Sequence, residues 1–91
     1  MRKAREAMRE IARTITDPLG LHVQLAVLLS GEAARWRSRV TLEHAARSVD
    51  AKQLMDVMML GVRPGAEVVV HVEGPDEDTA ADALQQLMRT F

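Results

Sequence analysis

The feature that most constrains the fold is a change of hydrophobic period in the second half of the chain. Between Glu67 and Glu73, three valines at positions 68, 70 and 72 alternate with mostly polar neighbours, which is typical of a strand buried on one face. An acidic run at 76–78 follows, where the dipole of a helix start favours negative charge. Helical spacing then relates the apolar residues Ala80, Ala83, Leu84, Leu87, Met88 and Phe91. The two periods together predict a strand followed by a helix.

The rest of the chain yields five further elements. A β-branched run over 11–16 predicts a strand, and the turn residues 17–20 end it. Helical spacing of Ala26, Leu29, Ala33 and Trp36 predicts a helix of about 12 residues beginning near Leu21. Alternation over 37–44 predicts a second strand, which turns at Ala45–Ala46 into a short returning segment. Asp50 and Gln53 resemble a capping box that starts a short helix through Leu60.

The order β-α-β-β-α-β-α predicts one α+β domain. Antiparallel strands with the helices gathered on one face, in two layers, are the natural packing for such an order. The 91 residues suffice for one hydrophobic core. We assign residues 11–91 to this domain and residues 1–10 to a charged N-terminal extension.

Composition excludes several classes of function. The formal net charge of −1 argues against a general nucleic-acid binder, and the absence of cysteine excludes disulfides and thiolate metal sites. No metal-ligand spacing is visible, and we expect neither a metal nor a cofactor. No apolar run approaches the ~20 residues that a membrane span needs, and no secretory signal is visible. We therefore expect no membrane insertion and a cytoplasmic location.

His22 is the strongest candidate for chemistry among three histidines. It lies where a turn becomes a helix, and neither Gly20, Leu21 nor His22 is a strong N-cap. The first amides of the helix, at Val23, Gln24 and Leu25, would therefore be free to bind an anion such as phosphate. The alternative is a histidine that packs at a helix start with water on those amides. His44 and His71 are expected to be solvated surface residues.

The short helix carries a second candidate feature. Leu54, Met55 and Met58 share one side of it, while Val57 and Leu60 can face the core. An exposed Leu/Met surface would make an adaptable docking site for a partner. The alternative is that all of these side chains belong to the core.

One motif of the chain is Ile15-Thr-Asp-Pro-Leu-Gly-Leu-His22 followed by Ala26, and a second runs from Ala51 to Gly61 and continues through 62–70 and Glu73-Gly74. These two separated motifs resemble those of the HPr phosphocarriers of the bacterial sugar phosphotransferase system. The resemblance covers about residues 11–90. It implies an open-faced two-layer β-sandwich, with a four-stranded antiparallel sheet and three helices on one face.

The resemblance also implies roles for individual residues. His22 would accept a phosphoryl group, on Nδ1, from Enzyme I and pass it to sugar-specific acceptor domains. The family usually has arginine and proline where this chain has Gln24 and Leu25, so a cation beside the phosphoryl group is missing and transfer is expected to be slow. Gln53 stands where many Gram-positive members carry a phosphorylatable serine, so that regulation is expected to be absent.

Three functional hypotheses remain open from the sequence. The first is a monomeric phosphocarrier that cycles on His22. The second is an interaction or regulatory module of the same fold that has lost phosphotransfer and docks through Leu54, Met55 and Met58. The third is a fragment of a larger fusion with its own partners, a role that the basic extension could serve.

Overall fold

The computed structural model describes residues 8–91. Its four strands are β1 (Arg9–Thr14), β2 (Arg39–His44), β3 (Arg47–Asp50) and β4 (Glu67–Glu73). Its helices are α1 (Val23–Ala34), α2 (Leu54–Met59) and α3 (Glu77–Leu87), and a 3₁₀ turn at Met88–Thr90 follows α3. This order confirms the predicted one.

The strands form one antiparallel sheet in the order β1-β4-β2-β3. The alternation in β4 places Val68, Val70 and Val72 in the core, where Val70 lies opposite both Ile11 and Leu42. The three helices cover this face of the sheet, and the fold class is therefore the predicted open-faced α+β sandwich. Ala45 and Ala46, both with positive φ, close the tight hairpin between β2 and β3.

The predicted boundary between extension and domain needs correction. Strand β1 begins at Arg9, which pairs with Val72, so Arg9 and Glu10 belong to the sheet. The Arg9 guanidinium lies 3.1 Å from Asp78 and 3.3 Å from Asp82 of α3. The strand also ends at Thr14, two residues before the predicted end. Residues 1–7 of the extension lie outside the described residues.

The predicted capping box of the short helix is wrong. The Asp50 carboxylate accepts a hydrogen bond from the Lys52 amide at 2.9 Å and closes a local turn instead of capping a helix. Gln53 is the N-cap of α2, and its side chain makes no capping hydrogen bond. The helix starts later because Ala51, which is fully buried, ties its amide to the Val40 carbonyl of the sheet.

Among residues 8–91, no helix has the length and apolar character needed to cross a bilayer.

Candidate functional site

The loop between β1 and α1 holds His22 in a defined backbone geometry. Gly20 adopts φ +71°, a left-handed conformation that other residues rarely adopt. A Cβ at this position would lie 2.5 Å from the Val62 carbonyl oxygen, so the close approach of these two segments requires glycine. Beside it, the Leu21 amide donates to the same carbonyl oxygen at 3.0 Å. The loop that carries His22 is thus fixed to the segment that follows α2.

His22 is the N-cap of α1. Its φ of −77° and ψ of 177° are extended, its carbonyl accepts the Ala26 amide at 2.9 Å, and its side chain does not cap the helix. The amides of Val23, Gln24 and Leu25 therefore have no acceptor within the helix. The first turn also contains no acidic residue. This helix start favours an anion, through both its free donors and its dipole.

Asp17 pairs with the imidazole, a role that the sequence analysis missed. Its Oδ2 lies 3.4 Å from Nε2 of His22, and its Oδ1 accepts the Leu19 amide at 2.9 Å. The Leu19 hydrogen bond chiefly, and His22 to a lesser extent, hold the pKa of the Asp17 carboxyl below its ordinary value. The Asp17 carboxylate thus faces Nε2, whereas Nδ1 of His22 has no partner among residues 8–91. The only sequence signal was an aspartate in a turn, which is common.

The residues that the sequence singled out around His22 have different surroundings. Val23 and Gln24 are exposed, whereas the Leu25 side chain is half-buried and packs against the core. The Gln24 side chain carries no charge. The side chains here can present hydrogen bonds from Gln24 and apolar contacts from Val23 and Leu25.

The short helix α2 presents a methionine-rich surface. Met55 and Met59 are 67% and 69% exposed and Met58 is 39% exposed, while Val57 and Leu60 are buried as predicted. Leu54 differs from the expectation of an exposed residue, because it is half-buried and packs against the core. Met59, which the sequence analysis did not include, joins the exposed set. Helix α1 packs against α2 and adds Val23, Val27 and Leu28, each about half exposed.

The other two histidines, His44 and His71, lie on strands of the sheet. His71 is not simply solvated: its Nε2 lies 2.8 Å from Glu43 and its Nδ1 lies 3.2 Å from Glu10, which places it between carboxylates of the two neighbouring strands. Nδ1 of His44 lies 3.2 Å from the Glu67 carbonyl oxygen. Both histidines therefore make contacts across the sheet. Within residues 8–91 no group of three or more potential ligands is arranged for a metal ion.

Comparisons with known proteins identify a family for the chain. Residues 4–90 match the family described as PTS-HPr, the PTS HPr component phosphorylation site. The phosphocarrier protein HPr of Cupriavidus necator is 41% identical over 75 residues, which cover 82% of this chain and 84% of that protein.

Two solved structures extend the comparison. The histidine-containing phosphocarrier protein of a Mycoplasma superposes with a TM-score of 0.86 at 31% identity, covering 88% of this chain and 91% of that one. Bacillus subtilis Crh, a catabolite repression protein whose crystal structure is a swapped dimer, gives a TM-score of 0.70 at 35% identity, with coverage of 82% and 86%. Together with the matched phosphorylation-site family, these similarities show that the chain belongs to the HPr phosphocarrier family of the phosphotransferase system.

Proposed function

We propose that the protein accepts a phosphoryl group on Nδ1 of His22 from Enzyme I and passes it to a sugar-specific acceptor domain. The observation that carries this proposal is the position of His22 at the uncapped start of α1, with Asp17 on Nε2. The imidazole is thereby placed next to the amide donors that a bound phosphoryl group needs.

The reaction is a displacement at phosphorus. The Nδ1 lone pair forms the new N–P bond while the bond from phosphorus to the donor breaks and its electron pair leaves with the donor. Nε2 keeps its proton, and the Asp17 carboxylate, 3.4 Å away, stabilises the positive charge that develops on the ring. The amides of residues 23–25 stabilise the phosphoryl oxygens in the transition state. Return transfer to the acceptor reverses these steps.

Transfer is expected to be slow because of residues 24 and 25. Gln24 offers hydrogen bonds but no positive charge toward the phosphoryl group. Losing one well-placed electrostatic partner commonly costs about 10²–10³ in rate. Leu25 in place of proline also leaves the first turn of α1 less rigid.

The exposed methionines support a docking role. Met55 and Met58, with Leu54 at their edge, form an apolar surface next to α1, and we propose that Enzyme I binds there as well as at His22. Flexible methionines adapt to different partners, and a carrier that receives and delivers must bind at least two. The protein acts as a monomer in this scheme. Gln53, exposed at the N-cap of α2, has no hydroxyl for a serine kinase to phosphorylate.

One observation favours a second function. Because Gln24 leaves the start of α1 without a charged side chain, the protein would serve as a regulatory module if transfer is too slow to matter, binding partners through the same Leu54/Met55/Met58 surface. Such a module would bind Enzyme I or another partner without being phosphorylated.

The test is to incubate the purified protein with Enzyme I and phosphoenolpyruvate and to measure its intact mass. We expect the mass to rise by one phosphoryl group, and we expect the modification to be acid-labile, as histidine phosphorylation is. The variant His22→Gln should stay unmodified, while His44→Gln and His71→Gln should be modified like the parent. An unmodified parent that still binds Enzyme I would establish the second function instead.

A further inference from the structure

The loop around His22 lacks a positive charge of its own. Between Ile15 and Ala26 the only ionised side chain besides a protonated His22 is Asp17, whose negative carboxylate lies 3.4 Å from Nε2 of His22. A phosphoryl group on Nδ1 would add further negative charge a few ångströms from that carboxylate. The amides of α1 supply only partial charges, so a cation from another segment would have a large effect on transfer.

Arg63 lies beside this loop. A Cβ built on Gly20 would lie 3.1 Å from the Arg63 Cα, and the Leu21 amide binds the carbonyl of the preceding Val62. From Gly20 to His22 the backbone spans at most about 7 Å. The long side chain of an arginine at position 63 therefore has the reach to meet a phosphoryl group on His22.

The backbone of Arg63 is held in place on both sides. Its carbonyl accepts the Ala66 amide at 3.1 Å and closes a turn through Pro64 and Gly65, with Gly65 at φ +86° as such a turn requires. The Gly65 amide in turn donates to the Ile15 carbonyl at 2.7 Å. The turn is thus bound to the strand that leads into the His22 loop.

The Arg63 side chain is free to act. It is exposed, and within residues 8–91 it forms neither a hydrogen bond nor an ion pair. Arg13, which precedes the loop on β1, instead directs its guanidinium to the Arg89 carbonyl at 2.5 Å.

We propose that Arg63 binds the phosphoryl group on His22 and supplies, from the turn after α2, the positive charge that Gln24 does not. The planar guanidinium suits two phosphoryl oxygens at once, which an ammonium does not match. This inference rests on the proposed function, because it requires that His22 carries a phosphoryl group.

The test measures phosphoryl transfer from phosphorylated Enzyme I to the parent, Arg63→Gln, Arg63→Lys and Arg37→Gln. Arg37 is a matched control: it is also exposed, and it lies beyond the far end of α1, a helix of 12 residues and so about 18 Å long. We expect kcat to fall roughly tenfold in Arg63→Gln with little change in KM, less than for a buried donor because water screens the exposed charge. Arg63→Lys should fall between the parent and Arg63→Gln, and Arg37→Gln should match the parent.

A double variant tests whether residues 63 and 24 can both supply positive charge to the same phosphoryl group. Adding Gln24→Arg to Arg63→Gln should restore kcat to at least the parent value, since it returns a cation to the other side of the group. Equal kcat in the parent and Arg63→Gln would overturn the inference and leave the proposed function intact. A rise in KM alone would also overturn it, because Arg63 would then contact Enzyme I and not the phosphoryl group. A parent that Enzyme I never phosphorylates would overturn both.

Discussion

The two nitrogens of His22 have different surroundings, and under the proposed function this difference selects the nitrogen that attacks phosphorus. Asp17 faces Nε2 at 3.4 Å, so the proton of the neutral ring is favoured there and the Nδ1 lone pair is left for attack. A carboxylate in this position favours that tautomer, and under the proposed function it would stabilise the positive charge that forms on the ring during transfer.

We predict that Asp17→Asn slows phosphorylation. Asparagine can still accept the Leu19 amide through its side-chain oxygen, so the loop should keep its shape, but the negative charge beside Nε2 is lost. The expected fall in kcat is about tenfold, well below the ~10⁴ of a buried triad carboxylate, because Asp17 is only half-buried. Initial rates with Enzyme I would measure it, and NMR of the imidazole nitrogens would show the change of tautomer. An unchanged rate and tautomer would contradict this role.

We predict that Gln24→Arg with Leu25→Pro speeds phosphorylation by Enzyme I by at least tenfold. The arginine adds a charge at the helix start, and the proline pre-sets the first turn without breaking a helical hydrogen bond. The proline removes the Leu25 amide from the three proposed donors, a loss that we expect the full charge of the arginine to outweigh. Some stability will be lost because Leu25 packs against the core. Initial rates at one protein concentration compare the double variant, each single variant and the parent. Equal rates would show that these two residues do not limit transfer.

The residues around His22 differ in whether the sequence alone could single them out. His22, Gln24 and Leu25 were identified because they are adjacent in the chain and follow a recognisable motif. The contact of Asp17 with His22 and the closeness of Arg63 to this loop were missed, because they depend on distances across a loop and between segments that no spacing rule encodes. The same holds for His71, whose two carboxylate partners come from different strands.

At the scale of elements, the connection between the His22 loop and the end of α2 is the feature on which the site depends. Gly20 permits it, since the Val62 carbonyl occupies the space of a side chain at that position.

We predict that Gly20→Ala destabilises the protein by about 1–3 kcal/mol, through its positive φ and the contact with the Val62 carbonyl. It should also displace His22 and slow its phosphorylation. Gly31→Ala is a matched control, because a Cβ there meets nothing within 4 Å and Gly31 lies inside α1. That change should stabilise the protein by about 0.5–1 kcal/mol. Urea unfolding of both variants measures these changes, and equal effects would contradict the argument.

We predict that Met55→Glu weakens binding to Enzyme I at least tenfold while leaving stability within ~0.5 kcal/mol of the parent. Met55 is 67% exposed, so the new charge costs little until a partner covers it. Gln85→Glu, which adds the same charge at an exposed position of α3, is the control and should bind normally. Calorimetric titration and thermal unfolding separate the two effects. A large loss of stability would place Met55 in the core, and normal binding by Met55→Glu would place the docking surface elsewhere.

Elements with a strong period were predicted well, and their ends were not. The valines of β4 and the apolar stripe of α3 predict a strand and a helix, because burial on one face produces a regular spacing of apolar residues along the sequence. The start of β1 at Arg9 depends instead on its pairing with Val72 of β4, and the start of α2 at Leu54 depends on the pairing of Ala51 with the sheet. Both ends are set by tertiary contacts that a local pattern does not contain.

Across the whole molecule, Asp76 joins the start of α3 to the start of β2. Its carboxylate accepts hydrogen bonds from the Ser38 hydroxyl at 2.6 Å, from the Ser38 amide at 2.9 Å and from the Arg37 amide at 2.9 Å. The Ser38 hydroxyl chiefly, then the Arg37 amide, hold the pKa of Asp76 below its ordinary value.

We predict that this junction loses its contribution to stability in acid. A carboxyl whose pKa is lower in the folded than in the unfolded state stabilises the fold above the unfolded pKa of about 4, and the contribution disappears as the pH falls through the folded value. The free energy of unfolding should therefore drop between pH 5 and pH 2 in the parent and drop less in Asp76→Asn. Asp56→Asn, at an exposed site on α2, should follow the parent. Urea unfolding across this pH range measures the slopes, and parallel slopes for Asp76→Asn and the parent would contradict the prediction.

The hydrogen bonds from Leu21 to Val62 and from Gly65 to Ile15 connect parts of the chain that are far apart in sequence. The loop that presents His22 consequently acquires its shape only when both halves of the chain have folded. A partly folded chain has the histidine but not the arrangement around it. Under the proposed function, a donor enzyme would therefore discriminate between mature and immature copies without any separate recognition step. Exchange of the Leu21 amide with solvent should then be as slow as that of the most protected amides in the sheet, because opening this bond requires opening the molecule.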